Sequence, residues 1–574
     1  MEVPTDSNHD LDKILTEIGQ FGVFQILSCA LISLPMLFCG IELSFAFAAS
    51  GVEQRCLINE CDLDGARNIS FLPPWINNSV PFENGAPAKC TRYRPYNSSE
   101  TLDIKNRSSI SSSNGFCSAE MFDQRTTESC SEFVYKTEER TIATEWDMSC
   151  PNDAWKLALI GTIHNVGQFI GMPIGGYISD RYGRRTILAL AGTISALMGI
   201  IRSFSVNYIM FAVFEMLNAF GGIVYPTVIV LGMELVGPEK RALSTAILAA
   251  AYPLGEVTMG LVAKYVTNWR NFLRFLYAPG LLHIAYFWII DESVRWLLAK
   301  GRYDEAIRTL KKAARFNRTQ LSEQSLEKLC LNSESHKESS EDASSESYPI
   351  CHACTSPKLL FRIVNLSFCW FTNVLVYYGL SLNSVSFAGD KYVNFMLVCL
   401  VEIPGAIASY FAVSLLGRRP SQSGFLIISG LACLLSYFVS ENQPWLAFSL
   451  VLLGKLAITA SFVVLFVYAS ELFPTNLRQS LISFCIMFGR IGSMIAPQTP
   501  LLAEILPALP LILFGSCAII SGVLVLTFPE TANTTLPTTI LDAENVGNNA
   551  VKNEPRFYNV GENTGSHEGN AIFP

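Results

Sequence analysis

Two short charged stretches decide the fold. Residues 176–185 read GYISDRYGRR, and residues 414–419 read SLLGRR. Each stretch ends one apolar block and leads directly into another, as between Leu157–Ser179 and Thr186–Phe204. A bilayer core about 30 Å thick is crossed by about 20 mostly apolar residues in a helix. Both stretches are therefore predicted to be turns between membrane helices, and their recurrence predicts two similar halves.

The composition of the whole chain agrees with a membrane protein. Of its 574 residues, 50% are hydrophobic and only 16% are charged, whereas soluble domains carry about 25% charged residues. The long apolar blocks exclude a disordered chain and a small disulfide scaffold. The net charge of -8 offers no basic surface to nucleic acid, so no nucleic-acid partner is expected.

Twelve apolar blocks are predicted to be membrane helices, called spans 1 to 12, which makes the fold class an all-α membrane protein. The N-terminal six-helix bundle, residues 22–290, contains Gly22–Ser50, Leu157–Ser179, Thr186–Phe204, Tyr208–Gly232, Leu243–Tyr265 and Phe272–Ile290. The C-terminal six-helix bundle, residues 359–528, contains Leu359–Leu380, Phe395–Leu415, Phe425–Val439, Trp445–Tyr468, Leu481–Leu502 and Leu509–Phe528. The other parts are an N-terminal tail (1–21), an outer loop (51–153), a central segment with amphipathic helices and a Ser/Glu-rich linker (291–358) and a C-terminal tail (529–574).

The distribution of lysine and arginine predicts the orientation. One set of short loops is rich in these residues, which marks it as cytoplasmic, whereas the opposite short loops hold fewer, such as Arg202, Lys264, Arg270 and Lys391. An even number of spans then places both termini in the cytoplasm. Acidic residues precede span 1 and its apolar block is long, so it is not interpreted as a cleaved signal peptide. We expect a multi-pass protein of the plasma membrane.

The loop after span 1 carries the features of an extracellular segment. Its six cysteines are an even set, which in an oxidising compartment predicts up to three disulfides in any of fifteen pairings: Cys56, Cys61, Cys90, Cys117, Cys130 and Cys150. Its sequons predict glycosylation at Asn68, Asn77, Asn97 and Asn106. The sequons at Asn317, Asn365 and Asn533 fall in the cytoplasm or within a span and are expected to stay unused. Cys351 and Cys354 form only half of a zinc site, so no metal is predicted.

Charged residues at the cytoplasmic ends recur between the halves. Gly183-Arg184-Arg185 matches Gly417-Arg418-Arg419, Glu234 with Arg241 matches Glu471 with Arg478, and Asp291–Ser293 matches Pro529–Thr531. Halves of this kind rock around a central site, so these charges are interpreted as a gate whose ion pairs break and re-form. The alternative is that the arginines only fix topology and bind membrane lipid. The predicted gate consists of Asp180, Arg181, Arg184, Arg185, Glu234, Arg241, Arg418, Arg419, Glu471 and Arg478.

The stretch from Gly176 to Arg185 resembles the loop 2–3 motif of the major facilitator superfamily. Further motifs are similar to those of its organic cation/anion/carnitine transporter family: Trp146-Asp147, Glu292-Ser293 with Arg295-Trp296-Leu297, Tyr377-Tyr378-Gly379-Leu380, Glu471–Thr475 and Pro529-Glu530-Thr531. The second-half loop lacks the usual acidic residue, and Asp291 replaces the usual proline, which makes the two ends of the gate unequal. The resemblance implies a major facilitator fold and transport of organic ions without a cofactor.

Ionisable residues inside the spans locate the candidate substrate site. Each costs about 2.5–3.5 kcal/mol at a helix centre, so these side chains are expected to face the bundle interior or a wet cavity. Arg490, whose planar fork suits a carboxylate, is interpreted as the receptor for an anionic group; the alternative is a permanent Arg490–Glu402 ion pair. In the family, arginine at this position is typical of anion and carnitine transporters, whereas Glu402 favours a cation, so the sign of the substrate charge stays open. The predicted substrate-binding residues are Arg490, Glu402, Lys455, Tyr377, Tyr378, Phe371, Tyr225 and Tyr252.

Three further features within the spans carry predictions. Glu42, Glu215 and Glu256 lie in spans 1, 4 and 5 and are expected to face the interior. His164 in span 2 is interpreted as a hydrogen-bonded interior histidine, with a proton relay as the alternative. Pro253 and Gly255 are expected to weaken span 5 beside a cavity.

The function predicted from these features is secondary transport. No phosphate-binding loop is found in the sequence, and its six histidines form no catalytic cluster, so an enzyme is not expected. We predict a polyspecific transporter of small organic ions that works by alternating access as a monomer; anions or zwitterions are favoured and cations are possible. The alternative is a transporter-like receptor or sensor for such an ion.

Overall fold

The fold is described from a computed structural model of the chain. It describes residues 7–62, 69–83, 86–96, 117–322, 326, 356–387, 389–439, 442–474, 477–532, 537 and 543–544. Within these ranges, eleven helices are long and apolar enough to cross a membrane, and the shorter apolar helix Leu509–Val525 occupies the place of span 12. The predicted order of two six-helix halves is therefore confirmed.

The bounds of the spans differ from the predicted ones by a few residues at most ends. In the N-terminal half they are Val23–Gly40 continued by Ile41–Ser44 and Phe45–Ala48, Pro151–Tyr182, Arg184–Arg202, Tyr208–Ala219 continued by Phe220–Ile223 and Val224–Glu234, Arg241–Tyr265, and Trp269–Tyr277 continued by Ala278–Ala285 and Tyr286–Ile289. In the C-terminal half they are Pro357–Asn383, Lys391–Leu400 with Glu402–Leu416, Arg418–Phe438, Pro444–Leu472, Arg478–Ile495 continued by Ala496–Gln498 and Thr499–Ile505, and Leu509–Val525. Span 9 begins seven residues before its apolar block, because the polar stretch after Gly417 is helical.

Local signals set the ends of several spans. The side chain of Asn207 accepts a hydrogen bond from the Met210 amide at the start of span 4, and Asp390 caps span 8 in the same way. Such caps satisfy amides that a helix leaves without partners. Gly183 and Gly417 separate spans 2 and 3 and spans 8 and 9, with φ of 103° and 93°. Only glycine takes such angles without strain, which explains why the same residue stands in both turns.

Small residues let the helices approach closely. A Cβ added to Gly40 of span 1 would lie 2.3 Å from the Tyr252 carbonyl oxygen of span 5, and one on Gly255 would lie 2.0 Å from the Leu37 oxygen. Span 5 continues as one α-helix through Pro253, so the irregular backbone expected there is not present. Gly255 serves instead to pack span 5 against span 1.

The two ends of the bundle differ in what they carry. We call the end with the loop between spans 1 and 2 the disulfide side, and the end with Arg184 and Arg418 the arginine side. The disulfide-side loop is built from paired antiparallel strands, Gln54–Cys56 with Phe133–Tyr135, Phe82–Glu83 with Ala86–Pro87 and Thr91–Pro95 with Phe122–Ser129. Its short helices are Asn59–Asp62, Ile76–Ser79, Ala119–Met121 and Ile142–Glu145.

All six predicted cysteines are paired in the disulfide-side loop. The bonds are Cys56–Cys130, Cys61–Cys117 and Cys90–Cys150, one of the fifteen pairings that the sequence left open. Asn77 of the predicted glycosylation sites is exposed on a short helix of this loop. Asn68, Asn97 and Asn106 lie outside the described residues, as do Cys351 and Cys354.

On the arginine side, the N-terminal segment contains a helix that was not predicted. Helix Ser7–Glu17 packs against Val294–Ala299 and Tyr303–Asn317 of the central segment. Its Asp12 carboxylate forms ion pairs with Arg241 and Arg295. The start of the chain, expected to be a tail, is thereby fastened to the N-terminal half.

Candidate substrate site between the two halves

A buried ion pair of the C-terminal half lies at the centre of the predicted site. The Lys455 Nζ of span 10 lies 2.9 Å from Glu402 Oε1 of span 8, and both side chains are almost fully buried. The Tyr377 hydroxyl donates to the other Glu402 oxygen at 2.7 Å. Lys455 also donates to the Ser381 hydroxyl and to the Tyr377 carbonyl. The structure thus brings Glu402, Lys455 and Tyr377 together, and their role in binding a substrate stays a prediction.

Arg490 does not pair with Glu402, and the alternative of an Arg490–Glu402 ion pair is wrong. The half-buried Arg490 of span 11 instead crosses to the N-terminal half. There Nη1 donates to Gln168 Oε1 at 3.0 Å, and Nη2 contacts Met172 Sδ at 3.4 Å. The charge of Glu402 is already balanced by Lys455 of the same half. Among the described residues, no carboxylate lies within ion-pair distance of Arg490.

Gln168 connects Arg490 to a buried network of the N-terminal half. Its amide nitrogen donates to Glu42 Oε2 at 2.8 Å and lies 3.2 Å from His164 Nε2, while its oxygen accepts from Arg490. His164 Nδ1 lies 2.8 Å from Glu215 Oε1. Because Gln168 donates to Nε2, the imidazole hydrogen belongs on Nδ1 and points to Glu215. His164 is therefore the hydrogen-bonded interior histidine that the sequence indicated. Gln168 was not predicted, since an isolated glutamine gives no signal of its partner.

Arg202 was expected in a loop, but it is fully buried at the end of span 3. Its guanidinium pairs with Glu215 of span 4, donates to the Ser44 hydroxyl at 2.8 Å, and lies over the rings of Phe211 and Tyr277 at 5.3 and 5.4 Å. A charge count of the loops could not reveal this, because Arg202 directly follows the apolar block. The acidic residue in the next span was the available signal.

The predicted aromatic residues line both sides of the interface between the halves. Tyr225 and Tyr252 of the N-terminal half meet edge to face at 5.7 Å. Tyr377 and Tyr378 of the C-terminal half do so at 5.2 Å. Tyr378 lies close enough to both N-terminal tyrosines to interact with them electrostatically. These four tyrosines are half-buried and form one wall that belongs to both halves.

Phe371 lies apart from this tyrosine wall. Its ring stacks on Phe368 at 6.2 Å, and its backbone oxygen would lie 2.5 Å from a Cβ on Gly492. Gly489 similarly faces the backbone of Trp370. The glycines beside Arg490 thus bring spans 7 and 11 together, and the position of Phe371 does not by itself link it to the ion pair.

Glu256 of span 5 joins the site from the N-terminal half. It is fully buried and lies close enough to Glu402 and Lys455 for electrostatic interaction. The sequence marked it only as an acidic residue within a span. Within the described ranges, no group of three or more His, Cys, Asp or Glu side chains is placed to hold a metal ion.

The predicted gate residues of the N-terminal half cluster around Arg184. This guanidinium lies 3.0 Å from Asp180 and 3.6 Å from Glu234. Arg181 instead donates to the Tyr177 hydroxyl, and Arg241 pairs with Asp12 rather than with Glu234. Arg185 takes part through its backbone amide, which donates to Glu292.

The C-terminal half repeats this arrangement. Arg418 lies 2.9 Å from Glu471, and Arg419 donates to the Leu526 carbonyl oxygen. Arg478 donates to the Phe473 carbonyl oxygen at 3.3 Å. In each half the first arginine after the glycine pairs with the matched glutamate, Arg184 with Glu234 and Arg418 with Glu471, whereas Arg241 and Arg478 have other partners. Whether they open and close as a gate stays a prediction.

A second carboxylate completes each of these clusters. Glu292 accepts hydrogen bonds from the Arg184 and Arg185 amides, and Glu530 accepts them from the Arg418 and Arg419 amides. We call each set, a glycine turn with its paired arginines and carboxylate, a clasp. Burial raises the pKa of Glu292, although the amide hydrogen bonds partly oppose the rise. Both glutamates lie at matching positions of the repeat, but the sequence alone does not show that they bind the turn.

Contacts between the halves lie at the middle and on the disulfide side. Lys264 of span 5 pairs with Asp390, just before span 8, at 2.7 Å, and Phe47 of span 1 packs on Tyr392 and Phe395. Deeper, Gln498 of span 11 donates to the Thr162 hydroxyl. The gate ion pairs on the arginine side, in contrast, join residues of the same half. The two halves are therefore in direct contact on the disulfide side.

The chain has two six-helix halves, and charged residues of both signs lie with aromatic residues where the halves meet. This arrangement defines a secondary transporter of the major facilitator type. The model of the family described as sugar (and other) transporter matches residues 103–539. The chain belongs to the organic cation/anion/carnitine transporter family of the major facilitator superfamily. It is thus a multi-pass membrane transporter and not an enzyme.

Relatives match nearly the whole chain. An organic cation transporter protein of Drosophila melanogaster is 30% identical over 93% of this chain and 95% of its own length. The mouse solute carrier family 22 member 21 is 31% identical over 94% of both chains. The human organic cation/carnitine transporter 2 is 32% identical over 92% of this chain and 93% of its own. The chain thus matches relatives that transport small organic solutes.

Solved structures show the same fold. The inward-open xylose transporter XylE from E. coli has a TM-score of 0.53 at 16% identity and covers 67% of this chain and 89% of its own. XylE bound to 6-bromo-6-deoxy-D-glucose also has a TM-score of 0.53, at 15% identity, with 89% of this chain and 98% of its own covered. At this identity the likeness concerns the fold alone.

Proposed function

We propose that this chain carries small organic ions across the plasma membrane by alternating access, with both termini in the cytoplasm. Organic anions and zwitterions are the favoured substrates, and organic cations are possible. The names of two relatives support this range, since one is an organic cation transporter and another transports carnitine, a molecule with both a carboxylate and a quaternary ammonium.

The observation that carries the proposal is the position of Arg490. It is held by a neutral amide and a thioether across the interface, so its positive charge is not cancelled by a direct ion pair. The Glu402 charge, in contrast, is balanced by Lys455. The interface therefore offers an available cation to a carboxylate, for which the guanidinium fork gives two hydrogen bonds.

The remainder of the interface suits the cationic or apolar part of a zwitterion. The four tyrosines supply flat aromatic surface from both halves, and aromatic faces attract ammonium groups. Because the tyrosines come from both halves, a rocking movement of the halves would shift the two pairs relative to each other and would also move Arg490 relative to the N-terminal half. A ligand bound there would therefore be exposed to one side at a time.

The experiment is uptake of radiolabelled carnitine, para-aminohippurate and tetraethylammonium, as zwitterion, anion and cation, into cells that express the chain. We expect saturable uptake of the zwitterion or the anion. Arg490→Gln should lower it roughly 10- to 150-fold, because a hydrogen bond to a charged group contributes about 1.5–3 kcal/mol. Arg490→Lys should keep part of the uptake, since it retains the charge without the fork.

The control is Arg308→Gln, which changes an arginine on the exposed face of helix Tyr303–Asn317. It should transport normally at equal surface expression. Normal uptake by a well-expressed Arg490→Gln would refute the role of Arg490. Specific binding of a probe without any uptake would instead favour a receptor or sensor.

A further inference from the structure

Glu256 is a buried acid that forms no ion pair among the described residues. It lies in span 5 and is 0% exposed. By distance and angle, neither of its carboxylate oxygens has a hydrogen-bond partner among the described residues. An ionised carboxylate without a partner at this depth costs several kcal/mol. The site must therefore either supply a cation or keep Glu256 neutral.

The groups around Glu256 offer one nearby cation. The titratable groups that interact electrostatically with Glu256 are Tyr252 of span 5, Tyr377 of span 7, Cys399 and Glu402 of span 8 and Lys455 of span 10. Cys39, Glu42, Tyr225 and Tyr378 interact with members of this group or with one another. Arg490 interacts with Glu42 and Tyr225. The cation nearest to Glu256 is thus Lys455, and the carboxyl of Glu402 and the thiol of Cys399 are in closest contact with it.

The charge of Lys455 is already committed to Glu402. Its ammonium donates to the Ser381 hydroxyl and the Tyr377 carbonyl and lies 2.9 Å from Glu402 Oε1 as an ion pair. Glu402 and Lys455 already form a neutral pair. An ionised Glu256 would add an uncompensated negative charge beside the Glu402 carboxylate, and two adjacent buried carboxylates do not both stay ionised.

We propose that Glu256 is a proton-binding site, which holds one proton and donates it in a hydrogen bond to Glu402. A carboxylate has about four lone-pair sites. On Glu402 the Tyr377 hydroxyl uses one on Oε2, and Oε1 pairs with the Lys455 charge but accepts no hydrogen bond among the described residues. A protonated Glu256 therefore finds an acceptor, and the cluster of Glu256, Glu402 and Lys455 becomes neutral overall. The ligand of this site is the proton itself.

The two carboxyl groups belong to different halves, so this proton reports on how the halves are arranged. Spans 5 and 8 are held together by the Lys264–Asp390 ion pair and by their own packing on the disulfide side. When the disulfide side opens, Glu256 leaves Glu402 and meets water, where the proton dissociates into solution. A lower pH therefore favours the conformation in which the disulfide side is closed. For a single proton, the equilibrium constant between the two conformations changes by at most about tenfold per pH unit.

This inference rests on the proposed transport function for its effect on uptake, but the proton can be detected without transport. Infrared spectra of the purified full-length chain should contain the C=O stretch of a buried, protonated carboxyl group. Glu256→Gln should remove this band. Glu402→Gln should also remove it, because Lys455 is then free to pair with an ionised Glu256. The control Glu53→Gln changes an exposed acid of the disulfide-side loop and should retain the band.

The second measurement is the pH dependence of carnitine uptake. Wild type and Glu53→Gln should show a one-proton dependence, and Glu256→Gln should lose it because its amide cannot dissociate. A wild-type band that survives both Glu256→Gln and Glu402→Gln, or an unchanged pH profile in Glu256→Gln, would overturn the proton site while the transport proposal stands. If no variant takes up any probe, the transport proposal fails and the infrared band alone decides the proton site.

Discussion

The buried Arg202–Glu215 ion pair should be structural, in contrast to Arg490. Both side chains are 0% exposed. Arg202→Met removes the cation but keeps an apolar chain of similar length between the rings of Phe211 and Tyr277. Glu215 then retains only its contact with His164. We expect the variant to lose stability and, in the folded fraction, to keep the substrate affinity of the wild type.

The size of the loss follows from two separate considerations. Removing one partner of a buried ion pair costs about 3–5 kcal/mol, and placing an unpaired charge at a helix centre costs about 2.5–3.5 kcal/mol on insertion scales. We therefore expect about 3 kcal/mol, a factor of roughly 100 in the folding equilibrium. The double variant Arg202→Met/Glu215→Gln keeps an acceptor for His164 and removes both charges of this pair, so it should be more stable than Arg202→Met alone.

The assay is thermal denaturation in detergent, read as the fraction that still elutes as a single peak by size-exclusion chromatography. Because such unfolding is often irreversible, apparent midpoints are compared at one heating rate. The control Arg308→Met removes an arginine from an exposed helix face and should stay within about 0.5 kcal/mol of the wild type. An Arg202→Met midpoint equal to that of the control would refute this reasoning, and so would a double variant less stable than the single one.

Three further outcomes follow from the contacts. Lys264→Ala removes a partly exposed ion pair worth about 0.2–1 kcal/mol, so uptake should change less than about fivefold. The exchange Lys264→Asp/Asp390→Lys should restore the uptake of the wild type. A complete loss of uptake in Lys264→Ala would contradict this expectation. The hydrogen bond from Lys264 lowers the pKa of Asp390, so the contribution of the pair is present at neutral pH and is lost only as the pH falls through that lowered value. Tyr377→Phe removes a hydrogen bond to a charged group worth about 1.5–3 kcal/mol and should raise KM, whereas an unchanged KM would refute its role. Cys90→Ser/Cys150→Ser opens a crosslink worth about 2–5 kcal/mol and should lower surface expression measured by biotinylation; equal expression would refute its importance.

Hydropathy and loop charge were enough to predict the membrane helices. Every predicted span has a helix at its place, because about 20 apolar residues have no other stable arrangement in a bilayer. The N-terminal helix was missed, since it is short and half polar. Its apolar residues Leu11, Ile14 and Leu15, with Ile18 just after its end, are buried in the structure and nevertheless follow the spacing of an amphipathic helix.

The partners of the charged residues were harder to predict than their presence. The sequence placed Arg490, Glu402 and Lys455 inside spans, but it could not tell which faces of the helices meet. Glu402 consequently has Lys455 as its partner, and Arg490 has Gln168 of the other half. The disulfide pairing was undetermined for the same reason, since it depends on how the loop folds.

The repeat was the most informative of the sequence features, because its matched positions adopt the same geometry in both halves. Matched residues around Gly183 and Gly417 form the same clasp twice, each with a glutamate on the amides of a glycine-arginine turn. This geometry recurs although the second turn lacks the acidic residue that corresponds to Asp180. Position in the repeat therefore decides the role of Glu292 and Glu530.

Each clasp joins the glycine-arginine turn of one half to a glutamate that follows the last span of the same half, which has a consequence for combined substitutions. Effects of mutations at distant sites without shared partners add to within about 0.3–0.5 kcal/mol. Loss of Glu292 and loss of Glu530 should therefore sum in their effect on unfolding, as in two separate proteins. During evolution, one clasp can then be lost or regained without a compensating substitution in the other. The two copies of the duplicated unit are therefore free to diverge independently.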